Sequence, residues 1–183
     1  MSLRRPSLPP GDFAASGDLK PGLPAPPGLL ARGPLAAVVA EVRARGSRVV
    51  FTNGCFDLIH PGHVLYLADA RALGDLLVVG INSDESARRL KGEFRPYLSA
   101  EGRAVVLCGL RSVDYVTVFE EETPLALIEA ISPDVLVKGG DWPVEGIVGR
   151  EWVVAHGGTV RALPFHPGFS STSLAQRIRA AGA

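Results

Sequence analysis

A short apolar run that breaks and hands over to a helical pattern constrains this chain more than any other feature. Arg48 to Phe51 reads as a buried strand, Asn53-Gly54 as the turn that ends it, and Val64 to Leu73 as a helix whose first turn carries Pro61 and Gly62. Between them lies Cys55-Phe56-Asp57-Leu58-Ile59-His60-Pro61-Gly62-His63. His60 and His63 are three residues apart at the start of that helix, so they share one face of it. Backbone N–H groups there have no internal partner and together carry roughly half a positive charge, which favours an anion. Gly54 and Gly62 let a ligand approach the main chain. Two imidazoles aimed at one phosphate can donate hydrogen bonds as charge builds on its oxygens. A histidine pair can also serve as a plain helix cap, but the strand, the glycine spacing and Asp57 together favour the phosphate reading.

Other phosphate-binding patterns are missing. Neither G-x-G-x-x-G nor G-x-x-x-x-G-K-[ST] follows the first strand, which argues against a dinucleotide-dependent dehydrogenase and a P-loop ATPase. Cys55, Asp57, His60 and His63 are near one another in sequence, yet their spacing matches no closed structural zinc site, so no protein-held metal is expected.

The chain has 183 residues, is 46% hydrophobic, and balances 19 basic against 19 acidic side chains. It is long enough for one well-buried domain, and it offers no overall field to attract nucleic acid or an anionic membrane surface. A small-molecule partner is expected. The two cysteines, Cys55 and Cys108, make no disulfide framework, and no run of 18 apolar residues occurs, so the expectation is a cytoplasmic protein that is neither exported nor membrane-spanning.

Residues 1–33 hold seven of the fifteen prolines and a single aromatic, Phe13, and read as a flexible tail ahead of a domain over 34–183. From Leu35, apolar residues recur at helical spacing through Val42, and Gly46 ends that helix. Strands and helices then alternate. Strands are expected at Leu76–Ile81, Tyr115–Phe119, Val135–Val137 and Thr159–Leu163. Helices are expected at Asp84–Leu90, Ala100–Leu110, Pro124–Ile131, Arg150–Ala155 and Ser173–Arg179. Such alternation calls for right-handed crossovers and an α/β fold, a doubly wound, mostly parallel sheet with helices on both faces. Ligands of such sheets bind beyond the carboxyl ends of the strands, where the strand order reverses.

Three further segments carry more chemistry than a loop needs. Lys91 and Arg95, with Arg103 in the following helix, make a basic stretch able to close over a polyphosphate. Lys138-Gly139-Gly140-Asp141-Trp142 follows a buried strand, and its glycines permit close backbone approach while Lys138 and Asp141 can hold substrate hydroxyls or phosphate. Ser170-Ser171-Thr172-Ser173 supplies hydroxyls and free N–H groups at the start of the last helix.

The histidine motif and the late serine run together resemble those of the cytidylyltransferase-like nucleotidyltransferases, from about Leu35 to the C-terminus. Within them the chain looks most like adenylyltransferases that activate D-glycero-β-D-manno-heptose 1-phosphate, known also as one half of a bifunctional kinase/adenylyltransferase. Thr52 to Asp57, Asn82 to Asp84, Leu90 to Gly92 with Arg95-Pro96, Val113 to Tyr115, and Asp134 to Asp141 share in the resemblance. With no sugar-kinase pattern present, a stand-alone form is expected. The resemblance implies a Rossmann-like fold and the conversion of ATP and heptose 1-phosphate into ADP-heptose and pyrophosphate with Mg2+. It implies His60 and His63 on the α-phosphate and leaving group, Lys91 and Arg103 on the pyrophosphate portion, and Asn53, Gly54, Cys55, Phe56, Asp57, Gly62, Ser170, Ser171 and Thr172 on the nucleotide. Arg95, Lys138, Gly139, Gly140, Asp141 and Trp142 fall to the second substrate. A CTP-dependent enzyme for glycerol 3-phosphate is the nearest alternative. Gly140 stands where that group tends to carry aspartate and Phe165 where it tends to carry arginine, whereas Trp142 favours it. A non-catalytic nucleotide sensor on the same fold is the second alternative. Class I aminoacyl-tRNA synthetases use a similar histidine site but need a larger chain and a basic RNA-binding face. Exposed helix faces are compatible with a homodimer.

Overall fold

The computed structural model describes residues 25–140, 142–164 and 166–182. Five strands, β1 (Val49–Gly54), β2 (Leu76–Asn82), β3 (Tyr115–Phe119), β4 (Val135–Gly139) and β5 (Thr159–Leu163), form one parallel sheet in the order β3-β2-β1-β4-β5. Parallel neighbours need crossovers, and helices α1 (Arg32–Ala44), α2 (Pro61–Arg71), α3 (Asp84–Lys91), α4 (Ala100–Cys108), α5 (Leu125–Ile131) and α6 (Arg150–Ala155) lie between or before the strands, with α7 (Ser171–Ala181) closing the chain. This is the Rossmann-like, doubly wound arrangement expected from the alternating pattern.

Side-chain alternation along each strand divides the core into two layers. Val50, Leu77, Val79, Ile81, Val116 and Val137 point to the face covered by Tyr66, Leu67 and Ala70 of α2 and Ala104 and Leu107 of α4. On the other face, Val49, Phe51, Val78 and Leu136 meet Leu35 and Val39 of α1, Leu127 and Ile128 of α5, and Val153 of α6. Strands buried on both faces are nearly all apolar, which is why they read as continuous runs.

Two carboxylates fix the amino ends of the strands. Asp134 accepts from the Arg43 guanidinium at 2.9 Å and from the Val49 N–H at 2.8 Å, and so ties α1 to the start of β1. Asp114 accepts from Arg71 Nε at 2.9 Å and from the Leu77 N–H at 2.8 Å, and so ties the end of α2 to β2.

The domain boundary expected at residue 33 falls too late. Residues 1–24, most of the expected tail, lie outside the described residues, but Gly28–Leu30 run along the outer edge of β3. There Val116 donates its N–H to the Gly28 carbonyl at 2.8 Å, and Leu30 donates to the Val116 carbonyl at 3.0 Å. Leu29, 2% exposed, enters the layer under α4, while Leu30 enters the layer under α1. This segment covers an edge strand that would otherwise present unpaired backbone groups, and two apolar side chains anchor it. Proline-rich composition concealed that anchor.

Candidate functional site

β1 is the strand at which the order reverses. It pairs with β2 along its whole length to Gly54–Ile81, but with β4 only as far as Thr52–Val137. Beyond that point Lys138 and Gly139 pair with β5 instead, so β1 and β4 diverge and open a crevice at their carboxyl ends. Asn53 and Gly54, expected as a turn, are therefore the last residues of the strand. Their parallel partners are Gly80 and Ile81, and the chain turns away from the sheet two residues later at Phe56, whose φ is +47°.

Both histidines stand at that crevice. His60 is the N-cap of α2, and its Nδ1 accepts the His63 N–H at 3.3 Å. Pro61 occupies the first turn, where a missing N–H costs nothing. The two imidazoles stack with centroids 3.8 Å apart and planes 15° apart. Phe56 packs against His63 at 5.3 Å, and Phe169 stacks beyond His60 at 6.3 Å, which makes a four-ring column across the loop. Gly62 is needed beneath it, because a Cβ there would come within 3.0 Å of the Phe169 Cβ and 3.1 Å of His60 Nδ1. Burial, with repulsion from His60 second, pushes His63 down to about 4; the Leu58 carbonyl pulls slightly the other way, although its placement falls short of a hydrogen bond. Burial also lowers His60. The pair is neutral at pH 7, with Nδ1 of His63 buried and its Nε2 left as the nitrogen for a ligand.

A second helix start converges on the first. Ser170 caps α7, its Oγ accepting the Ser173 N–H at 3.4 Å, and Ser171 Oγ donates to the Leu58 carbonyl at 3.3 Å. Ser170 and Thr172 are exposed. Cations gather from the other side. Lys138 is half-buried at the end of β4; burial above all lowers its pKa, the Cys55 sulfur opposes this and the Lys91 charge adds to it. Lys91, exposed at the end of α3, also acts on Cys55, whose thiol is pushed up by burial and donates to Asn82 Oδ1 at 3.6 Å. Neither lysine makes an ion pair among the described residues.

Several expected ligands are engaged elsewhere. Asp57, 3% exposed, accepts from Arg95 Nε at 2.5 Å and from the N–H groups of Tyr97 and Leu98 at 2.7 and 3.1 Å, so it organises the 95–98 loop and has no oxygen turned to a nucleotide. Arg95 is correspondingly held by Asp57 and lies over the Tyr97 ring at 4.7 Å. Arg103 is fully buried. Its Nε donates to the Leu98 carbonyl at 3.1 Å, Nη1 to the Cys55 carbonyl at 2.7 Å and Nη2 to Asp84 at 2.8 Å, so all three nitrogens are engaged within the protein. Gly139 lies against the Tyr66 ring, Gly140 donates its N–H to Leu163 at 2.8 Å, and Trp142 is 55% exposed. Asp141 lies outside the described residues.

Three residues of the site were given no role in the sequence. Phe169 closes the ring column. Tyr66 bonds Thr52 Oγ1 at 2.6 Å and is pushed up to about 12 by burial, fixing α2 on β1. Asn82 holds the Cys55 thiol. Tyr66 had a signal, since it follows His63 at i+3 on the same helix face. An open cavity of about 590 Å³ lies off this site at the end of β3; Arg32, Glu120 and Glu121 line it, and Arg32 is already paired with Glu121. No group of three or more His, Cys, Asp or Glu side chains among the described residues is placed to hold a metal ion, and no helix among them is long and apolar enough to cross a membrane.

Comparison with known proteins converges on the same region. The bifunctional protein HldE of Pelobacter propionicus is 54% identical over 147 residues, covering 80% of this chain and 30% of that protein. Its counterpart in Geobacter sulfurreducens is 56% identical over 144 residues, 79% of this chain and 29% of that one, and the Haemophilus ducreyi protein is 52% identical over 153 residues, 84% and 32%. The chain thus spans about a third of the length of the curated relatives it matches. Among solved structures, the lipopolysaccharide core biosynthesis protein from Thermoplasma volcanium is 27% identical with a TM-score of 0.55, covering 66% of this chain and 98% of that one. A family model described as cytidylyltransferase-like matches residues 51–177, the span from β1 through the ring column to α7, and the chain belongs to that cytidylyltransferase-like family.

Proposed function

We propose that this protein transfers AMP from ATP to a sugar 1-phosphate, D-glycero-β-D-manno-heptose 1-phosphate, giving ADP-heptose and pyrophosphate. One observation carries the reading: two helix N-termini, a stacked pair of neutral histidines and two lysines without ion pairs among the described residues converge where β1 and β4 part. That is a site for several phosphates.

The chemistry asks for little else. A sugar phosphate is already largely dianionic near pH 7, its second pKa being about 6, so its oxygen attacks the α-phosphorus without a general base. The new P–O bond forms as the bond to the β-phosphate breaks, and pyrophosphate leaves with the electron pair. Alignment and stabilisation of charge on the phosphoryl oxygens are the main contributions left to the protein. His63, kept neutral by burial, donates from Nε2 as negative charge develops, and His60 supports its orientation by stacking. Lys91 and Lys138 attract the polyphosphate, and the start of α7 adds N–H groups and the Ser170 and Thr172 hydroxyls.

Among the described residues no protein-built cage for magnesium is in place. Asp57 is spent on Arg95 and two amides, and Asp84 on Arg103. The ion belongs with the triphosphate as part of the substrate, the usual habit of Mg2+. A cytoplasmic setting suits a chain whose Cys55 and Cys108 form no disulfide.

The test is pyrophosphate release by the purified protein with magnesium, crossing ATP and CTP against heptose 1-phosphate and glycerol 3-phosphate. Turnover with ATP and the heptose is expected. Turnover with CTP and glycerol 3-phosphate would keep the mechanism and overturn the substrates, and binding without turnover would leave a nucleotide sensor.

A further inference from the structure

The rim of the site between α3 and α4 is fixed at both ends and free at its tip. Gly92 closes α3 by donating to the Arg88 carbonyl at 2.9 Å, and Arg95 donates its N–H back to the Gly92 carbonyl at 3.1 Å, so residues 92–95 form a tight turn. Beyond it, Asp57 takes Arg95, and the Leu98 peptide is held on both sides, its N–H by Asp57 Oδ1 and its carbonyl by Arg103 Nε. The tip itself, Glu93-Phe94, has no such attachment. Phe94 is 78% exposed and Leu90 58%. Gly92 sits at φ +96° with no atom within 4 Å of where a Cβ would be, so the turn pivots on a residue that is free to adopt left-handed backbone and has room around it.

The tip is bracketed by the site. On one side Lys91 acts on Cys55 and Lys138 at the end of β4, and on the other Arg95 binds Asp57 of the same motif loop. A phenylalanine so placed contributes no packing to the free protein, yet stands within a few residues of a cation facing the crevice. We infer that the 92–95 turn is a flap whose Phe94 closes on the base of the bound nucleotide while Lys91 at its root meets the polyphosphate. The nucleotide is the occupant because Lys91 seeks the densest negative charge, which is the triphosphate, and the ring three residues on falls to the part joined to it. This inference rests on the proposed function.

Calorimetric titration of ATP, with magnesium and without sugar phosphate, tests it on the wild type and on Phe94→Ala and Phe94→Trp. Loss of one base–aromatic contact should weaken ATP binding by about 5- to 100-fold in Phe94→Ala, while Phe94→Trp stays near wild type. Melting temperatures should be nearly equal, since the side chain is 78% exposed. ATP affinity of Phe94→Ala within twofold of wild type overturns the flap and leaves the proposed function standing. A loss seen only in the KM for sugar phosphate, or a melting temperature lower by several degrees, overturns it as well. A wild type that does not bind ATP removes the proposed function and this inference together.

Discussion

Acid should destabilise this protein through His63, and the size of the effect follows from the ring's surroundings. In the folded chain His63 is held at about 4 against its ordinary 6.5, first by burial and then by His60 stacked 3.8 Å away. Between these two values the unfolded chain carries a proton on this residue and the folded chain does not, so unfolding takes up protons and stability rises with pH. Conversely, the contribution is intact above 6.5, is lost as the pH falls toward 4, and changes no further below that. At about 1.4 kcal/mol for each pH unit, a fully buried ring would lose about 3.4 kcal/mol. His63 keeps part of its surface in water, which lowers the figure to about 2–3 kcal/mol. His60, also lowered by burial, adds in the same direction.

Urea unfolding at intervals from pH 7.5 to 4 measures this, provided it is read as a difference. Other titrating groups contribute to the wild type and the variant alike. A His63→Asn variant keeps a polar side chain and does not titrate. Wild type minus variant should therefore fall by about 2–3 kcal/mol between pH 6.5 and 4 and stay level above 7. Curves that run parallel within about 0.5 kcal/mol, or a wild type that gains on the variant as acid is added, would refute the reasoning, because they would mean that His63 is solvated or paired in the folded protein.

Further outcomes follow from the same geometry. His63→Ala should lower turnover by about 100- to 1,000-fold while the melting temperature stays within a few degrees, the scale for losing one donor aimed at developing charge; a loss below threefold removes its role. Deleting residues 1–33 removes Leu29 and Leu30 and uncovers β3, and Leu29→Ala alone should cost about 2–4 kcal/mol by urea unfolding, whereas a chain starting at Ala25 keeps both leucines. Arg103→Ala strands Asp84 and two carbonyls and should cost about 3–5 kcal/mol of stability, a result that pyrophosphate-contact residues would not give. Asp57→Asn should speed amide exchange at Tyr97 and Leu98 in the ligand-free protein, where a purely nucleotide-binding aspartate would leave both unchanged.

Most of the fold was legible because β1 to β4 are buried on both faces and the longer helices on one, so the strand runs and helical spacings alternate from Leu35 to Arg179. Errors arose where a neighbour in space decided the outcome. Asn53-Gly54 has the local chemistry of a turn, yet β2 offers Gly80 and Ile81 as partners and the strand continues. Residues 28–30 have the composition of a tail, yet an open edge on β3 lies beside them. The site divides in the same way. His60, Gly62 and His63 at the start of α2 and Ser171 at the start of α7 stand at the helix starts that spacing alone indicates.

Charged residues gave no such signal, because whether a carboxylate or guanidinium serves a ligand or the protein depends on what faces it. Asp57 stands three residues before His60, and Arg103 occupies a helix beside the site, so sequence puts both near phosphate. Burial separates the two: a guanidinium at 0% exposure turns its donors to the protein, and each nitrogen of Arg103 donates to a different group there. The resemblance motifs therefore hold two kinds of residue. Asp57, Arg103, Asp114 and Asp134 bind loops and strand ends together, and the histidines and lysines face the crevice those residues hold open. A change in the first group should act on stability and loop exchange before chemistry, and a change in the second on chemistry with the melting temperature little altered. That contrast separates frame from site without knowledge of the sugar.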